Sequence, residues 1–296
     1  MSTRLTGSLQ VLASAAAFGS MAILARYAYA DGVSAGTLLF LRFFLAGALL
    51  LPWLIWRRQP WPRGRTLLAL ILMGGLGYTA SSLCYFNALR FASAGTVALL
   101  FYLYPAVVLL LSTLWLKEKL TRHRLVALLL ALAGLAITVG QDLSTQPLGL
   151  VLGLSTALLY SLYILAGSRF ATGAPALPAA AVVILAAAAS NGALVVGAGF
   201  HGPTSWHGWA AVLGMALLCT VVALALFLAG LGKIGAARAA VLSTLEPVVT
   251  LTLAWPLLGE ALSATQLAGG ALILLAVLLI SREADPQRTA LTDLHD

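Results

Sequence analysis

The sequence predicts an all-α integral membrane protein, with ten transmembrane helices in two inverted five-helix repeats and both termini in the cytoplasm. Composition is the first observation. Of 296 residues, 61% are hydrophobic and 9% charged, with a mean hydropathy of +1.00. Soluble domains run near half apolar and a quarter charged, so this chain cannot cover a water-soluble globule and a soluble enzyme is excluded. The placement of Lys and Arg is the second observation, and a self-match between the two halves is the third.

Apolar runs of about 18–25 residues can cross a bilayer as helices. Ten occur, at 7–28, 35–56, 66–89, 95–116, 123–141, 147–168, 178–199, 207–231, 236–257 and 264–281. The first lies behind a single basic residue, exceeds a signal-peptide core and is followed by further spans, so it is expected to be retained. Residues 282–296 form a polar tail, expected to be disordered. With the N-terminus inside, fourteen of the seventeen Lys and Arg fall on cytoplasmic segments; Arg26, Arg42 and Arg90 are the exceptions. This asymmetry sets the orientation. All seven tryptophans lie near span ends, where interfacial belts form.

The net charge of +8 is explained by topology and anionic lipid headgroups, so no nucleic-acid partner is expected. Cys84 and Cys219 sit in apolar runs and read as small buried hydrophobes, while the four histidines fall in polar connections or the tail. No metal site, cofactor or catalytic cluster is expected. No phosphate loop is present either, so ATP-driven pumping would need another subunit.

Shifted by 142 positions, residues 95–139 align with 237–281 without a gap. Pro105 meets Pro247, Glu118 meets Glu260, and Phe18 of the first span meets Tyr160 of the sixth. The repeats are residues 1–142 and 143–281. Five spans per half is odd, so the halves insert in opposite senses, as in many secondary transporters that bind substrate near the midplane. Duplicated halves also occur in channels and scaffolds, and the repeat alone leaves those open.

Each repeat places a proline in mid-span and an acid near the far end of the same helix, as Tyr104-Pro105 to Glu118 and Glu246-Pro247 to Gly259-Glu260. In these features the whole chain resembles the drug/metabolite transporter superfamily in its ten-span EamA-type form. Within it the chain looks most like bacterial exporters of aromatic and other neutral amino acids. The resemblance implies an inner-membrane carrier with a central cavity formed from both halves.

Polar and aromatic groups at membrane depth mark the candidate site, because lipid cannot satisfy them. Tyr78, Ser82 and Tyr85 or Phe86 share a face of the third span, Tyr160 and Tyr163 one of the sixth, and Phe18 and Met21 one of the first. Tyr102 and Tyr104 join the intramembrane tyrosines. Pro105 and Pro247 free the carbonyls of Phe101 and Ser243, marking bending helices. Ser243 and Thr244 can satisfy such groups or meet substrate. Glu246, the acid near the bilayer centre, is a proton-coupling or ammonium-binding group, or a structural acid at the kink. Arg42 can gate or bind a carboxylate, with structural pairing or snorkelling favoured. Glu118 and Glu260 read as helix-end anchors.

An aromatic cavity with hydroxyls and few charges suits a neutral or zwitterionic solute and not a phosphate ester. The expected function is therefore export of neutral amino acids by alternating access. Export of hydrophobic drugs or other metabolites is the second reading, and a passive channel stands behind both. The carrier is expected to work as a monomer.

Overall fold

Hydrocarbon offers a peptide group nothing to bond, so a chain this apolar closes its hydrogen bonds within its own helices. The computed structural model describes residues 3–115, 121–139, 146–170 and 174–283. Among these it contains helices and no strand.

In the first half, α1 (Thr3–Gly19) and α2 (Met21–Ala30) make the first crossing and α3 (Ala35–Trp56) the second. The third crossing joins α4 (Gly64–Leu72) to α5 (Thr79–Ala88), and the fourth joins α6 (Ala94–Phe101) to α7 (Tyr104–Trp115). Then comes α8 (Arg122–Val139). The second half repeats the order with α9 (Pro147–Phe170) and α10 (Ala176–Ala198). It continues with α11 (Trp206–Ala216) and α12 (Ala223–Ile234), α13 (Ala236–Ser243) and α14 (Leu245–Leu258), and α15 (Ala264–Glu283). Eight of these stretches are long and apolar enough to cross a membrane. Leu125–Thr138 in α8 and Ala264–Leu279 in α15 are shorter apolar helices, in the places of the fifth and tenth expected spans. The first two residues of the predicted tail, 282 and 283, belong to α15; the rest of it, and Glu118, lie outside the described residues.

The outer surface is apolar. Ile55, Trp56, Leu76, Leu114, Val151 and Val196 are all exposed. In water so much exposed apolar surface would drive association, whereas against acyl chains it is the correct solvent match. Trp53, Trp206, Trp209 and Trp255 are also exposed.

Packing runs between the halves. α15 lies along α8 and α10 along α3, while α1 packs on α12 and α9 on α5. Exchanging the halves returns the first two pairings unchanged and converts the third into the fourth, as an internal two-fold relation requires.

Two kinds of interruption recur in both halves. The first is a wide π turn, at Met73–Tyr78 between α4 and α5 and at Leu217–Val222 between α11 and α12. In each region a threonine hydroxyl donates to the carbonyl five residues back, Thr79 to Gly74 at 2.9 Å and Thr220 to Met215 at 3.0 Å. The second is a break between α6 and α7 and between α13 and α14, one turn ahead of the prolines. Pro105 is the second residue of α7 and Pro247 the third of α14. There the missing N–H would lack a helical partner in any case, so the prolines start new helices and do not kink continuous ones.

One end of the bundle is tied by side chains. Glu260 accepts from the Ala94 and Gly95 amides at the start of α6 and pairs with Arg26 at 3.5 Å, so it is a helix-end anchor. Arg26 also donates to the Leu89 carbonyl at 2.6 Å, and Tyr29 to that of Phe86 at 2.7 Å. At the same end Asp31 accepts from the Thr204 and Ser205 amides at 2.7 and 3.0 Å. Bonding to Ser205, then Thr204, holds its carboxyl down at about 2, so this tie persists through the mildly acid range.

The α8–α15 crossing is close because both helices carry glycine there. A Cβ built on Gly134 would stand 2.6 Å from the Gly269 carbonyl oxygen, and one on Gly269 would stand 2.6 Å from that of Gly134. Backbone at that spacing cannot yield as a side-chain tip can. Gly134→Leu is therefore expected to destabilise the protein by about 1–3 kcal/mol, as overpacking does. Gly232→Leu, with open space around it, is expected to be neutral. Thermal unfolding in detergent compares the two.

Candidate functional site

The interruptions converge on one cavity of about 290 Å³ between the halves. Ser82, Tyr85 and Phe86 reach it from α5 and Tyr78 from the adjoining π turn, with Phe18 from α1 and Met21 from α2. The α6–α7 break contributes Tyr102, α9 contributes Tyr160 and Tyr163, α13 Ser243 and α14 Glu246. Arg42 enters from α3. Thr244, Pro105 and Pro247 do not line it. The Thr244 hydroxyl instead donates to the Val241 carbonyl of α13 at 2.7 Å, about a third of a turn from Ser243. The prolines act one step removed, by setting where the helices begin.

The sequence reading left several lining residues out of the candidate set. Phe101 and Tyr104 flank the first break, Ser81 and Thr156 meet across α5 and α9, Thr220 lies in the π turn between α11 and α12, and Phe227 lies on α12. For Tyr104 a signal existed, since it is an intramembrane tyrosine matched to Glu246. The others carry none that separates them from packing residues.

Aromatic rings form a connected wall. Tyr78 and Tyr163 lie 5.6 Å apart between centroids, Tyr163 and Tyr160 stack at 5.6 Å, and Tyr160 meets Tyr104 edge-on at 5.0 Å. Phe101 joins Tyr160 at 5.1 Å to Tyr85 at 5.7 Å. These are ordinary aromatic pair distances, and they give the wall a fixed shape. The hydroxyls of Tyr78, Tyr85, Tyr104, Tyr160 and Tyr163 bond no described residue, and none is a buried atom lacking a partner, so they face the cavity.

Tyr102 is different. Its hydroxyl donates to the Ser243 carbonyl at 2.6 Å and lies 3.0 Å from Glu246 Oε2. The carbonyl released at the second break is thus satisfied by a side chain from the first. Among the described lining residues Glu246 is the one acid and Arg42 the one base.

One of the alternatives for Arg42 is excluded. It is 2% exposed, so it does not snorkel, and no described acid lies within ion-pair distance. Its Nε donates to Thr220 Oγ1 at 2.8 Å, and its guanidinium stands 5.0 Å from the Phe43 ring and 5.7 Å from that of Phe86. A basic side chain within a spanning helix is costly unless protein or a wet cavity receives it, so its place on the cavity points to use. Cys219 is buried as expected, while Cys84 is only half-buried.

Tyr102→Phe would leave a buried carbonyl and a carboxylate short of a donor, and is expected to cost about 1–3 kcal/mol of stability. Tyr85→Phe removes a hydroxyl with no protein partner and is expected to change stability by less than about 0.5 kcal/mol. Thermal unfolding of the two variants, each against the parent, reads the difference.

Comparison with known proteins agrees with this architecture. The chain is 29% identical over 278 residues to an uncharacterized transporter of Archaeoglobus fulgidus, covering 94% of this chain and 97% of that one. It is 28% identical over 282 residues to the uncharacterized transporter YcbK of Bacillus subtilis, covering 89% and 88%. A solved crystal structure, 23% identical, superposes with a TM-score of 0.65 over 94% of this chain and 97% of its own, which shows the shared fold. The profile of the EamA-like transporter family matches twice, at residues 5–140 and 147–282. With both halves matched in this way, the chain is a multi-pass membrane protein of the EamA-like transporter family.

Proposed function

We propose that the protein exports neutral amino acids, aromatic ones favoured, across the bacterial inner membrane by alternating access. The observation that carries this reading is the cavity wall: connected aromatic rings, with outlying hydroxyls and one acid, at the meeting of two broken helices. Rings give an apolar side chain area to stack on, and their faces attract an ammonium. Glu246 is the natural counter-charge for that ammonium. A single guanidinium is a poor match for a phosphate ester, which calls for a cluster of basic groups.

Size favours this reading over export of bulky hydrophobic drugs through the same fold. Sites for drug-sized molecules run about 300–1,000 Å³, and a cavity of about 290 Å³ sits at the bottom of that range. In the proposed topology α8 and α15 complete ten crossings, both termini are cytoplasmic, and a single copy of the chain transports. The ties around Arg26 and Glu260 close the outer end, and they break when the carrier opens to that side. Tyr102, which bridges the halves at the breaks, shares in that rearrangement.

Counterflow of labelled phenylalanine in proteoliposomes containing this protein alone, with no ion gradient, is the test. Saturable exchange, competed by methionine or threonine and not by arginine or glutamate, is expected. Tyr78→Ala and Glu246→Gln are each expected to cut exchange ~10-fold or more while insertion stays normal. No exchange of any amino acid by folded protein would remove this substrate class.

A further inference from the structure

We propose that Arg42, oriented by Thr220, is the carboxylate-binding group of the central cavity. The inference rests on the amino-acid reading above and adds a recognition group to it. Burial comes first. Arg42 is 2% exposed within a protein whose surroundings are lipid, yet no described acid lies within ion-pair distance of it; Glu246, which lines the same cavity, interacts with it through charge alone. Its Nε is used by Thr220, while its two terminal nitrogens bond no described residue and are not among the buried atoms that lack partners. They therefore open onto the cavity that Arg42 lines.

Geometry comes second. A guanidinium presents paired N–H groups in one plane, which fit the two oxygens of a carboxylate. Holding Nε on Thr220 and resting the plane near the Phe43 and Phe86 rings fixes the outward fork. The anchor is itself fixed, because the Thr220 hydroxyl donates to the Met215 carbonyl at 3.0 Å. Its lone pair is then available to the Arg42 Nε–H. Thr220 is a positioning residue in this scheme, acting through the arginine.

The repeat supplies the third argument. At the 142-position shift, Arg42 corresponds to Ile184 and Glu246 to Tyr104, and all four line the cavity. Neither charge is a requirement of the duplicated framework. One half places a cation at the cavity and the other an anion, so a solute with a carboxylate and an ammonium can touch both halves at once. A plain amine can use only the Glu246 end, and a plain acid only the Arg42 end.

The test uses the full chain in proteoliposomes and three probes of one shape: phenylalanine, phenethylamine without the carboxylate, and 3-phenylpropionate without the ammonium. Wild type is expected to prefer phenylalanine over phenethylamine by ~10-fold or more in competition for counterflow. Arg42→Gln should erase that preference, raising the apparent KM for phenylalanine while phenethylamine competes as before. Thr220→Val should weaken phenylalanine in the same direction by a smaller factor, and it serves if Arg42→Gln fails to fold. A variant that keeps the wild-type preference, or that loses both probes equally, overturns the proposal and leaves the amino-acid reading standing. Thermal stabilisation by 3-phenylpropionate gives a readout free of transport. If wild type exchanges no amino acid yet is stabilised by this acid through Arg42, the carboxylate site stands and the substrate reading falls. If the acid stabilises wild type and Arg42→Gln alike, the carboxylate site falls.

Discussion

A single hydrogen bond joins the structural and chemical centres of this protein. Within the bilayer a backbone carbonyl has no water to turn to, so a broken helix is tolerated only where protein or a wet cavity supplies a donor. The Tyr102 hydroxyl supplies it to Ser243, and the same oxygen lies beside Glu246. Because Tyr102 sits at the break of one half and Ser243 at that of the other, neither interruption is independent of its counterpart. The cavity lies where they meet.

The remaining architecture can be understood as support for that junction. The α8–α15 pair, closed by backbone-to-backbone approach at Gly134 and Gly269, and the α3–α10 pair flank it. α1 and α9, each packed against the other half, deliver Phe18 and Tyr160 to corresponding sides of the cavity. Between α4 and α5 and between α11 and α12 the π turns widen the helix beside the site, a departure found often where helices carry function. The functional chemistry is then placed unequally on an evenly built frame: rings crowd one wall, while the two charges arrive singly.

Much of this was legible in the sequence, for identifiable reasons. The crossings follow from length and hydropathy, and the repeat from Pro105, Pro247 and the acids in register. Ten of the eleven residues picked as substrate-facing line the cavity, because a tyrosine or serine at membrane depth has few other places to go. Thr244 failed for a rotational reason: one residue along a helix is about 100° of arc, and an adjacent pair of hydroxyls does not say which one points inward. The π turns were invisible, since a turn closed five residues back has no residue signature of its own. Of the readings open for Arg42, snorkelling alone fell, because burial depends on which face of α3 meets the bundle, and a helix apolar all round does not reveal its orientation.

The wide turns also bear on how the two halves relate. A turn closed five residues back holds one residue more than the helical turn it replaces, so the side chains on either side of it depart by one residue from regular helical spacing. One such turn stands in each half, and at the 142-position shift the second lies two residues further along than the first. The halves therefore share the device and not its register. Arg42 faces an isoleucine counterpart and Glu246 a tyrosine, so each charge belongs to one half alone. The frame is common to both halves, while the register of the turns and the placing of charge make them unequal in use.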